Sequence, residues 1–87
     1  MDQRVSEEEL ERIQRLCKAA TEGPWRAWVE GRDHQSGTSF IETAGGDIEL
    51  SGATEADFDF IAGARQDVPR LLDEVRALRA ELERARR

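Results

Sequence analysis

The feature that most constrains this chain is an apolar stripe near its C-terminus. Val68, Val75 and Leu82 recur at seven-residue intervals, with Leu71, Leu78 and Ala85 interleaved at four–three spacing. On a helix of 3.6 residues per turn this alternation draws the side chains onto one seam, the a and d positions of a heptad. Such a side has to be covered, either by the rest of the chain or by another chain. The flanking charges say how. Glu74 and Glu81 occupy g while Arg79 and Arg86 occupy e. In a parallel self-pair each g glutamate faces the following e arginine, whereas an antiparallel self-pair brings like charges together. Leu72 falls at e and widens the stripe toward that of an ordinary globular helix. Three coverings follow: the chain's own first helix and sheet, a parallel homodimer or higher homo-oligomer, or the helix of a different partner. Exposed ion pairs contribute only about 0.2–1 kcal/mol each, so they choose an orientation more than they drive association.

The start of this helix is marked by Asp67-Val68-Pro69. Proline lacks an amide hydrogen and restricts the residue before it, so it sits best in the first turn of a helix. The pattern predicts a break here and a terminal helix over residues 68–86. A shorter helix over 54–66 precedes it, with Thr54 as cap, Asp57 at the box position, and Phe58, Ile61 and Ala62 as its apolar side. Gly63 weakens that helix.

The N-terminal part carries its own helix signals. Ser6 and Glu9 have capping-box spacing, Val5 and Leu10 that of a hydrophobic staple, and Glu7, Glu8 and Glu9 suit the positive end of the dipole. Leu10, Ile13, Cys17 and Ala20 then recur every three or four residues, with Leu16 widening the stripe. This predicts a helix over 6–21, stopped by Gly23-Pro24. In between, Trp25, Ala27 and Val29 alternate with Arg26, Trp28 and Glu30, as in a half-buried strand. Residues 31–37 are a polar loop, and Phe40 and Ile41 mark a second strand. Gly45-Gly46 suits a hairpin turn, and Ile48 and Leu50 alternate in a third strand. The expectation is a three-stranded antiparallel meander over 25–51, too small to stand without a helix on its apolar face. The predicted fold is α+β: N-terminal helix, meander, short helix, long terminal helix.

Length and composition narrow the function. A chain of 87 residues makes one small domain of marginal stability, for which association is a plausible support. Charged residues make up 37% of it and the net charge is −6, which disfavours general binding to nucleic acid. Cys17 is the only cysteine, so no internal disulfide is expected. No apolar run approaches the ~18 residues of a membrane span, and the N-terminus is acidic rather than basic, so a cytoplasmic location is expected.

No constellation points to catalysis. His34 and Cys17 lie far apart in sequence and do not make a metal set, so His34 reads as a solvated loop residue and Cys17 as a buried small hydrophobe. Asp57 and Asp59 point to different faces of their helix. Gly45-Gly46 opens no helix and is not a phosphate loop. No cofactor is expected. Trp25 and Trp28 fall on opposite faces of their strand, so one can enter the core while the other serves as an interface anchor.

Two segments also resemble known proteins. TEGPW from Thr21, and FIAGARQDVPRLLDEVRALRAEL from Phe60 to Leu82, are similar to segments of a group of small uncharacterised proteins from actinobacteria and their phages. In that group a Gly-Pro-Trp follows a short helix, and a Phe-Ile-Ala…Ala-Arg…Asp-Val-Pro…Leu-Leu stretch opens the terminal helix. The resemblance implies a phage or prophage context and carries no activity. Taken together, the residues suggest a non-catalytic interaction protein that oligomerises through Val68, Leu71, Leu72, Val75, Leu78 and Leu82, and offers Trp28 and the 31–37 loop to a protein partner. The alternative is a nucleotide- or small-anion-binding protein with a site between subunits, where Arg65 and Arg70 meet phosphate and Trp25 or Trp28 stacks on a base.

Overall fold

A computed structural model describes residues 4–87. The elements run α1 (Glu7–Ala19), β1 (Arg26–Trp28), β2 (Phe40–Thr43), β3 (Gly46–Ile48) and α2 (Glu55–Ala85). This is the α+β architecture expected of the sequence. The capping box forms at α1: the Ser6 hydroxyl accepts from the Glu9 amide at 3.1 Å, and the Glu9 carboxylate accepts from the Ser6 amide at 3.1 Å. The helix ends where Ala20 turns extended.

The three strands form one antiparallel sheet in the order β1-β2-β3. Ala27 pairs with Ile41 and Ile41 with Ile48, so these residues form one cross-strand row. Period-two alternation puts that row on the inner face and the neighbouring Trp28–Phe40 and Arg26–Glu42 pairs on the outer one. Ile41, at the centre of the inner row, has no exposed surface at all. The β2–β3 turn lies one residue earlier than expected. Thr43 pairs with Gly46, leaving Ala44 and Gly45 as the two loop residues, and only Gly46 adopts a positive φ, of 127°. The Thr43 hydroxyl holds this turn, donating to the Gly46 carbonyl and accepting from the Gly45 amide.

Thr54 and Asp57 cap α2 reciprocally, each side chain accepting from the other's amide. Phe58 and Ala62, one turn apart, are buried with Val29 and Ile41, and Trp25, Ala27, Ile48, Leu50, Ala53 and Ile61 pack around them.

The expected break at residues 67–69 is absent, so the short and long helices are one helix of 31 residues with Pro69 inside it. Pro69 removes one hydrogen bond, to the Arg65 carbonyl, but its fixed φ is helical. The helix runs on through this defect, with Phe58 and Ala62 buried before it and Leu72 buried after it.

The chain divides into two compact units: Thr21–Asp67, and the N-terminal segment through Ala20 with Val68–Arg87. Among the described residues, no helix is long and apolar enough to cross a membrane.

Candidate interaction surfaces

The first surface is the outer face of the sheet. Arg26 lies 4.1 Å from the Trp28 ring centroid, and Phe40 stacks beside Trp28 at 6.5 Å. The indole N–H of Trp28 donates to Glu42 at 3.2 Å. The His34 ring lies 5.4 Å from that of Phe40. Thus the 31–37 loop is pinned beside this face rather than free. The Gly37 amide donates to Glu30, the Gly31 amide to the His34 carbonyl, and Asp33 exchanges bonds with the Val29 backbone. His34 departs from the expected solvated residue: its side chain is largely buried, and its Nδ1 accepts from the Ser36 amide at 3.0 Å.

Arg32 fixes the other side of this loop. Its guanidinium donates to Asp33, Asp59 and Glu55, with bonds of 2.8 Å to each. These bonds lower the carboxyl pKa values of Asp59 and Asp33, with the Val29 amide adding to the effect at Asp33. The same three acids raise the pKa of Arg32 further.

The second surface lies on the pair formed by α1 and the C-terminal half of α2. The two run in opposite directions: Arg79 reaches the Val5 carbonyl and Glu7 at the start of α1, while Arg76, one turn earlier, reaches Gln14 at 3.1 Å. Leu10 and Leu72 are the buried residues of this pair. Leu72 is only 7% exposed, whereas Leu71, Leu78 and Leu82 are 62%, 54% and 49% exposed. The helix therefore packs on its own chain through the e side of the heptad and leaves much of the a/d seam uncovered. Leu16 of α1 is exposed too. It precedes the half-buried Cys17 as Leu71 precedes Leu72, so each is turned 100° in the same sense from an inward-facing neighbour. In an antiparallel pair equal rotations in one sense lead to the same side. Leu16, Leu71, Leu78 and Leu82 consequently lie on one side of the pair, which α1 shares with the exposed Glu9, seven residues before Leu16. Beside them an open groove of about 590 Å³ is lined by Val5, Val75, Leu78 and Leu82, with Arg79 and Arg86.

The expected interface residues thus separate. Val68, Leu71, Leu78 and Leu82 are exposed, Val75 is half-buried and Leu72 faces inward. Glu74, Glu81 and Arg86 are exposed, but Arg79 is spent on α1. A two-stranded parallel coil, which needs that e edge open, loses one of its two expected ion pairs. Trp25 packs on the core and donates its indole N–H to the Thr21 carbonyl, while Trp28 is half-buried on the outer face. Arg65 also donates to the Thr21 carbonyl, at 2.9 Å, which ties it to the backbone rather than to a phosphate. Arg70 is exposed.

Gln66 was not singled out from the sequence. Its amide accepts from the Trp25 amide at 2.7 Å and donates to the Trp25 and Ala62 carbonyls, joining the start of β1 to α2. Nothing local marks it, because its partner lies 41 residues away. Arg32 is missed for the same reason. No group of three His, Cys, Asp or Glu side chains that could hold a metal occurs among the described residues. No protein-family model, curated protein or solved structure matches this chain.

Proposed function

We propose that the protein is a small non-catalytic interaction module, phage- or prophage-associated, that self-associates through the C-terminal half of α2 and engages a host protein with the outer face of its sheet. The observation that carries this reading is the exposed row of Leu71, Leu78 and Leu82, which remains after the helix has packed on α1. Exposed apolar side chains gathered on one side mark interaction surfaces more often than chance. The outer sheet face supports the second part. Trp28, Phe40 and Arg26 belong to the residue types that dominate binding hot spots, and the pinned 31–37 loop presents them with little ordering left to do. Of the two arginines in the anion-binding alternative, Arg65 is held by the Thr21 carbonyl, which weighs against that reading, while Arg70 is exposed.

Static light scattering on the full chain tests the proposal. The expected mass is that of a dimer or higher oligomer, falling to a monomer in the double variant Leu78→Asp/Leu82→Asp with helicity unchanged. Both leucines are about half exposed, so the fold should survive the change. A wild-type monomer at every concentration would remove the self-association claim. An Ala exchange of Trp28 that left capture of the host protein intact would remove the sheet face.

A further inference from the structure

We propose that the open edge of β3 takes up an extended segment of a partner protein as a fourth strand, one in which apolar residues alternate with lysine or arginine. This goes beyond docking on the outer face of the sheet and does not depend on self-association.

The two edges of the sheet differ in their backbone. The Trp25 and Val29 amides donate to the Gln66 and Asp33 side chains, whereas the Glu30 amide donates to Ser39 on the β2 side. Period two then turns the backbone groups of Trp25, Ala27 and Val29 outward, and those of Arg26 and Trp28 toward β2. At this β1 edge Gln66 occupies both groups of Trp25, and residues 32–33 occupy both of Val29. That leaves Ala27, too short a run to pair with another strand. Carried across the register, Ile41 and Thr43 bond to Ile48 and Gly46, so the Asp47 amide and carbonyl point away from the sheet. Among the described residues no turn, loop or side chain bonds to them. The alternation continues past the strand: Asp47 and Glu49 are exposed, whereas Ile48 and Leu50 pack against the core.

Side chains on both faces of this edge say what fits. On the outer face Arg26, Glu42 and Asp47 form one cross-strand row, in which two acids stand directly opposite each other. Like charges so placed are destabilising, and a cation opposite Asp47 in a fourth strand would offset them. On the wheel of α2, Asp59 and Gln66 lie about 80–100° to one side of the buried Phe58, where they meet Arg32 and Trp25 of the β1 side. Ile61 lies about 60° to the other side and Phe60 about 160°, both on the β3 side. There an open groove of about 500 Å³ is lined by Leu50, Ala53, Phe60 and Ile61, and Phe60 is 76% exposed. Inward side chains of an added strand, opposite Ile48 and Leu50, would face this groove. Two β3 edges from two copies would instead set Asp47 and Glu49 against the same acids, which selects a basic strand over self-pairing.

A labelled peptide of alternating valine and lysine, titrated with the full chain and followed by fluorescence anisotropy, tests the edge. It should bind at least about tenfold more tightly than the same residues in shuffled order. Glu49→Pro removes an outward amide without touching a bond to β2, and should weaken binding roughly 3–10-fold with circular dichroism unchanged. Phe60→Ala, at an exposed position, should weaken it similarly. Asp47→Lys/Glu49→Lys should turn the preference toward a valine–glutamate peptide. Equal binding of the shuffled peptide would reduce the interaction to net charge and overturn the proposal. So would the lack of saturable binding, or a charge reversal that leaves the preference unchanged. An oligomer that dissociates in Glu49→Pro would give the edge to a second copy and overturn it too. Failure of the peptide leaves the light-scattering result untouched, so this proposal and self-association fail separately.

Discussion

Leu71 and Leu72 are neighbours of identical chemistry, and their replacement by alanine should have very different consequences. Leu72 is 7% exposed between α2 and α1, so its truncation removes a buried side chain and leaves a cavity. Buried Leu→Ala exchanges cost about 2–5 kcal/mol. A chain of 87 residues has on the order of 4–13 kcal/mol in total, so Leu72→Ala removes a large share. Leu71 is 62% exposed in the single chain, where its truncation should cost less than about 0.5 kcal/mol. Leu71 should matter through association instead. Urea unfolding followed by circular dichroism, at two protein concentrations about a hundredfold apart, separates the terms. Leu72→Ala should lower the midpoint at both concentrations. Leu71→Ala should lower it only at the higher one, where mass action would stabilise the proposed oligomer. Equal losses at low concentration, or a larger loss for Leu71→Ala, would refute the assignment of the e side to in-chain packing.

Gly63 lies inside α2, and a β-carbon there would approach nothing closer than the Asp67 carboxylate, at 3.6 Å. Gly63→Ala should therefore stabilise the chain by about 0.5–1 kcal/mol and raise Tm by a few degrees in calorimetry. Gln66→Leu strands the Trp25 backbone groups and should cost about 1–3 kcal/mol, with altered tryptophan emission in the native state. The depressed carboxyl pKa values of Asp33 and Asp59 set an acid limb. Below the ordinary carboxyl range the unfolded chain takes up protons before the folded one does. The contribution is thus complete above that range and is lost as pH falls below about 4. Arg32→Gln should flatten this part of the stability–pH curve, and an unchanged acid limb would contradict the role given to Arg32.

What the sequence determined by itself was mostly local. The capping pairs Ser6–Glu9 and Thr54–Asp57 are three residues apart, and both form as read. Strand alternation put Trp25 and Trp28 on opposite faces, because a period of two is a property of the backbone. Pro69 was legible as a helix defect, but a proline costs a helix a hydrogen bond without obliging it to end, so the local pattern did not decide whether the helix broke there. The apolar stripe of residues 68–85 was legible too, though not its division. Which part of a stripe turns inward depends on the helix it meets, and α1 meets the Leu72 side. That choice takes Arg79 out of the heptad pattern and leaves Leu71, Leu78 and Leu82 exposed. Arg32 and Gln66 were likewise invisible in sequence, since their partners are brought near only by tertiary packing, across 23–27 and 41 residues.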